Sequence, residues 1–160
     1  MCLILFAFRH HPRYPLIVAA NRDEFHERPT APASFWETVP PILAGRDLLC
    51  GGTWFGISRE GRFAAVVNYR DPDARRNEAP SRGMLVTDFL LGRAPCEVFL
   101  DNLRTKGNLY SGFSLLFGDT EQLYCCSNQG RTPPPVQPGI HGLSNHLLAT
   151  PWPKVSRGQD

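Results

Sequence analysis

The apolar positions of the first twenty residues follow no helical period. Residues 2–8 form one continuous apolar run and residues 16–20 a second. Runs this short and unbroken predict buried strands. Between them, Pro12 and Pro15 cannot donate to a ladder, so residues 9–15 predict the turn of an antiparallel hairpin. Residues 28–41 are punctuated by proline and read as loop. Further strands are predicted at 42–45, 53–58 and 62–69, the last two as a hairpin closed by Arg59-Glu60-Gly61. Residues 70–81 mix arginines and acids without apolar periodicity; they predict a solvated loop, with a clamp for an acidic ligand as the alternative.

The period changes after that loop. Leu85 and Phe89 are spaced i, i+4, and Met84 and Leu91 i, i+7, which predicts a helix over 81–91 capped by Ser81 and ended by Gly92. A second helix is predicted over 95–106, with Pro95 near its start, Val98, Phe99 and Leu103 as its stripe, and Gly107 after it. Strands at 113–118 and 121–127, a proline-rich connector at 132–138 and a short strand at 140–145 follow. Strands, two helices, then strands predict a layered α+β fold. Residues 151–160 read as the start of a helix, so the chain is expected to be the N-terminal part of a longer domain.

Composition narrows the classes. The chain has 160 residues, 42% hydrophobic and 20% charged, an ordinary globular mix of single-domain size. Its 14 glycines and 15 prolines fit short elements joined by many turns. A formal charge of +2 argues against a nucleic-acid or anionic-membrane partner. No run is long enough to span a bilayer, and residues 2–8 lack the flanks of a signal peptide. Five cysteines, two of them adjacent, argue against a disulfide framework and for a reducing, cytoplasmic compartment. Cys125 and Cys126 would point to opposite faces of a strand, and no cysteine or histidine spacing suits a metal. Nucleotide-binding glycine motifs are absent, and Gly142-Leu143-Ser144-Asn145-His146 lacks the closing glycine of a nucleophile elbow.

One arrangement carries chemistry. Cys2 follows the initiator methionine, and its small side chain permits removal of Met1. The mature chain would then begin with a thiol and an α-amine on one residue. Such an amine titrates near pH 8, so a nucleophile and its general base coincide. The hairpin places Asn21-Arg22-Asp23-Glu24 beside the start of the first strand, where Asp23 can orient the ammonium or thiol and Arg22 can favour the thiolate.

These residues carry a resemblance. Met1-Cys2-Leu3-Ile4, the run from Ala19 to Phe25 and Arg28-Pro29-Thr30 resemble the NRDE family, also called the transport and Golgi organisation two family. So do Ala44-Gly45-Arg46-Asp47, Gly51-Gly52-Thr53-Trp54-Phe55-Gly56, Asn68-Tyr69-Arg70-Asp71-Pro72 and Gly142-Leu143-Ser144-Asn145. That family in turn resembles the N-terminal nucleophile (Ntn) hydrolases of the penicillin V acylase and bile salt hydrolase branch. The resemblance implies a layered αββα sandwich and cleavage of a non-peptide amide by an N-terminal cysteine. It implies Cys2 as nucleophile, Asp23 as its contact, and Asn68 and Asn145 as oxyanion donors. Asn21, Arg22, Trp54 and Tyr69 are the expected substrate-binding residues. Those hydrolases carry arginine three residues before the aspartate, where this chain has Ala20; here the arginine is Arg22, which strand alternation would turn away from Asp23.

The leading expectation is an amidohydrolase acting on a small non-peptide amide or ester, without cofactor or metal. The rival expectation is a non-catalytic carrier or trafficking protein for heme or an acyl ligand on the same fold; the resemblance also implies a link to Golgi organisation, lipid handling and heme trafficking. For heme, Cys2, His10, His11, His141 and His146 are the candidate axial ligands. Partners are expected to be a small-molecule substrate or ligand, with a homodimer as the candidate assembly.

Overall fold

A computed structural model of the protein describes residues 2–74, 76, 78–130 and 134–159. Met1, Arg75 and the first part of the proline-rich connector, Thr132 and Pro133, lie outside that set. The opening hairpin forms as the apolar runs predict. β1 (Leu3–Phe8) pairs antiparallel with β2 (Leu16–Asn21), with Leu3 opposite Asn21.

The region read as loop contains β3 (Thr30–Phe35), which corrects the expectation for 28–41. Pro32 is tolerated there because β3 is an edge strand, and its ladder with the next strand shifts register between Ala31 and Ser34. β4 (Ile42–Asp47), β5 (Phe55–Ser58) and β6 (Phe63–Asn68) continue the sheet. Among the described residues of 70–81 there is no strand, and a 3-10 turn forms at Pro72–Ala74.

α1 spans Gly83–Leu91 and α2 Cys96–Lys106. The N-cap of α1 is Arg82 rather than Ser81, although the Gly83 N–H does reach Ser81 Oγ at 3.3 Å. Gly92 ends α1 in an extended conformation, φ −72°, so it serves as a stop without using its left-handed freedom. Then come β7 (Phe113–Gly118), β8 (Leu123–Ser127), β9 (Gly139–Leu143) and α3 (Pro153–Gln159).

The strands form two antiparallel sheets, β2-β1-β9 and β3-β4-β5-β6-β7-β8, so the fold is mixed α+β. Ile4, Phe6 and Phe8 of the small sheet pack on Phe63, Ala65, Val67, Leu116 and Leu123 of the large one. The opposite face of the large sheet sets Ala64, Val66, Leu115 and Phe117 against Val86, Phe89 and Leu90 of α1 and Leu100 and Leu103 of α2. β6 and β7 are therefore buried on both faces, which is why residues 63–67 and 113–117 read as apolar runs instead of alternating. Cys125 joins one core and Cys126 the other, as alternation along a strand requires. α3 lies on the outer face of the small sheet, with Val155 against Gly142 and Gly158 against Leu5.

Candidate functional site

Cys2 sits one residue before β1, and its neighbours come from both ends of the chain. The β1–β2 register carries the segment after Asn21 back to it, so that Cys2 Sγ lies 3.9 Å from the backbone oxygen of Asp23. β9 runs antiparallel along the other edge of β1, with Leu143 opposite Ile4, and delivers Ser144 and Asn145 to the same end. β6 ends at Asn68, and the Arg70 N–H donates to the Asn145 carbonyl at 2.8 Å.

The Cys2 carbonyl is held from two sides. Ser144 Oγ donates to it at 2.9 Å and Lys154 Nζ, from α3, at 2.8 Å. The Asp23 carboxyl is held below its ordinary value, first by a hydrogen bond from the chain's α-ammonium and then by the charges of that ammonium and of Lys154 and by Asn21. Asn21 Nδ2 donates to Asp23 Oδ1 at 3.2 Å.

Two cavities open on either side of this point. One, of about 580 Å³, is lined by Cys2, Asp23, Glu24, Phe25, Asn68, Tyr69, Arg70 and Asn145. The other, of about 240 Å³, shares Cys2, Asp23, Glu24 and Asn68 and is otherwise bordered by Arg22, Arg28, Arg46, Asp47, Cys50, Trp54 and Arg82, among others. The four expected catalytic residues thus line one cavity, Tyr69 lines the same one, and Arg22 and Trp54 line its neighbour. Asn21 lines neither and touches Asp23 instead. Arg22 is not turned away as strict alternation would have it. It lies past the end of β2, and its guanidinium bonds Thr30 Oγ1 at 3.2 Å and Glu24 Oε2 at 3.4 Å.

Asn145 is buried, and its Nδ2 donates to the Asn68 carbonyl at 3.0 Å, leaving a second amide hydrogen. Asn68 itself is exposed and borders both cavities. Tyr69 is fixed by His146. The Thr150 hydroxyl donates to the Leu147 carbonyl at 2.8 Å, so its oxygen accepts from His146 Nδ1 at 3.0 Å. His146 Nε2 is then the acceptor for the Tyr69 hydroxyl at 2.8 Å, a tautomer assigned from the network. Among the candidate axial ligands, His10, His11, His141 and His146 are absent from both cavities' linings.

An ion pair between Arg28 and Asp47 borders the smaller cavity. Burial pushes the Asp47 carboxyl up, but hydrogen bonds from Arg28 and from the N–H groups of Leu49 and Cys50 outweigh this and hold it below its ordinary value. The same contact raises Arg28. Among the described residues no group of three or more histidine, cysteine or acidic side chains could hold a metal ion. Burial raises the thiols of Cys125 and Cys126, and neither lines these two cavities. No helix among the described residues is long and apolar enough to cross a membrane.

Sequence reasoning overlooked Ser144 as a holder of Cys2, and Lys154 altogether. The one available signal was Lys154 in the first turn of a helix, where a cation opposes the dipole.

A family profile described as "Transport and Golgi organisation 2" matches residues 1–160. The chain is 42% identical over 172 aligned positions to "Transport and Golgi organization protein 2 homolog" of Bos taurus and 41% to that of Homo sapiens. It is 30% identical over 179 to "Transport and Golgi organization protein 2" of Drosophila melanogaster. Each alignment covers 99% of this chain and 62% of the relative, so the chain spans less than two thirds of their length. On the full-length profile match and these identities, the chain belongs to the Transport and Golgi organisation 2 family.

Proposed function

We propose that this chain holds the active site of an N-terminal cysteine nucleophile amidohydrolase that acts on a small non-peptide amide or ester. The observation that carries the reading is that Cys2, Asp23, Asn68 and Asn145, scattered along the sequence, line one cavity. Removal of Met1 transfers the α-amine to Cys2. That amine takes the thiol proton as sulfur attacks the carbonyl, and returns it to the departing amine or alcohol. Water then cleaves the thioester and restores the thiol. Asp23 is the acceptor that orients this amine and pairs with the ammonium formed once it has taken the thiol proton. The free amide hydrogen of Asn145 and the side chain of Asn68 are the donors for the oxyanion. Two facing sheets with helices against both outer faces are what the resemblance to the Ntn hydrolases implies.

A second reading draws on Phe25, which is 80% exposed and lines the larger cavity with Tyr69. An aromatic rim suits a carrier of heme or an acyl ligand, and Cys2 is then the axial ligand within reach. The relatives' names speak of transport, which fits it. A library of small acyl amides and p-nitrophenyl esters separates the two. The hydrolase reading expects turnover that Cys2→Ala abolishes. No turnover, together with a Soret shift on heme titration that Cys2→Ala removes, would replace it with the carrier reading.

A further inference from the structure

Lys154 occupies a place that helix energetics does not explain. It is the second residue of α3, and the first turn of that helix contains no acid to offset it. A cation there opposes the helix dipole, while Arg157 in the last turn is placed favourably. A residue that breaks a local rule calls for a compensating contact. The contact is the Cys2 carbonyl at 2.8 Å, and the charge of Lys154 also reaches Asp23.

We propose that Lys154 is a positioning residue for Cys2. With Ser144 it occupies both lone pairs of the Cys2 carbonyl, a group that lies outside β1 and so has no ladder partner within that strand. It also anchors a positive charge on the backbone of the residue that carries the thiol. Lys154 as a residue is half-buried, which limits the screening of its charge by solvent. This inference rests on the reading of Cys2 as the reactive group, but its test does not need turnover.

The experiment alkylates the Met1-processed chain with iodoacetate, which is anionic, and with iodoacetamide, which is neutral. Rates at Cys2 are read by peptide mass, with the exposed Cys50 of the same molecule as internal reference. Lys154→Met is expected to lower the iodoacetate-to-iodoacetamide rate ratio at Cys2 by about fivefold, the factor one unit charge a few ångströms away contributes in water-like surroundings. Lys154→Arg restores the ratio, the ratio at Cys50 does not move, and added salt shrinks the wild-type ratio. A wild-type ratio in Lys154→Met, or an equal fall at Cys50, overturns the proposal. If Lys154→Met does not fold, a wild-type ratio that stays flat with salt overturns it. A charge effect at Cys2 without turnover of any amide or ester would leave Lys154 in this role and defeat only the hydrolase reading.

Discussion

At the scale of single residues, the smaller cavity depends on one carboxylate. Asp47 accepts from Arg28 Nε at 3.1 Å and from the Leu49 and Cys50 amides at 3.0 and 3.3 Å, so it both neutralises a cation and shapes the turn. Its folded pKa lies below the ordinary value. A depressed carboxylate stabilises the fold above its unfolded pKa, and that stability is lost as pH falls through the folded pKa. The window is therefore the acid side, below about pH 4. Asp47→Asn is expected to cost about 1.5–3 kcal/mol at pH 7, the range for hydrogen bonds to a charged group. It should also flatten the acid limb of stability. Urea melts from pH 3 to pH 7 check both; an acid limb as steep in the variant as in the wild type would remove Asp47 from this role. Neither Asp47 nor Lys154 stands out in a linear reading, since each acts through partners far away in sequence. Asp23 is legible as a neighbour of Cys2, because the hairpin pattern returns residues 21–24 to the start of the first strand and the family resemblance picks the aspartate out of that cluster.

At the scale of elements, α1 is finished by another strand's neighbour. It has no basic residue in its last turn and no left-handed glycine after it. Arg62, just before β6, donates from Nε to the Phe89 carbonyl and from a terminal nitrogen to the Ala94 carbonyl, both at 3.0 Å. Its guanidinium carbon lies 3.9 Å from the centroid of the Phe89 ring. Arg62→Met keeps much of the apolar stem but strips those carbonyls of their donors, and is expected to destabilise the protein by about 1–3 kcal/mol. Arg62→Lys should rescue little, because one ammonium cannot serve both carbonyls in a plane. Thermal melts of the two variants decide; a full rescue by lysine would reduce the contact to simple charge. The elements themselves were largely legible. Periodicity located α1, α2 and most strands, since each buries a continuous face or stripe. β3 was hidden because Pro29 and Pro32 imitate a loop, and only its place at the sheet edge makes Pro32 harmless.

At the scale of the whole molecule, the site exists because two sheets are joined at one end. The residue before β1 is Cys2, the two after β9 are Ser144 and Asn145, β6 supplies Asn68, and α3 supplies Lys154. No local pattern announces that convergence. It follows from β9 pairing with β1 across most of the chain and from the Asn145–Asn68 contact across the sheets. Resemblance to known hydrolases named the two asparagines where spacing alone was silent, and the fold sets them around one cavity. The central claim is that Cys2, freed of Met1, is the group that attacks a carbonyl. The most direct test incubates the untagged chain, expressed in cells, with a panel of p-nitrophenyl acyl esters and reads the intact and peptide masses. The account predicts a chain without Met1 that carries the acyl group on Cys2 faster than on the exposed Cys50, and no such fast adduct in Cys2→Ala. A chain that keeps Met1 in full, or acylation at Cys50 that matches or outruns Cys2 for every ester, would contradict it.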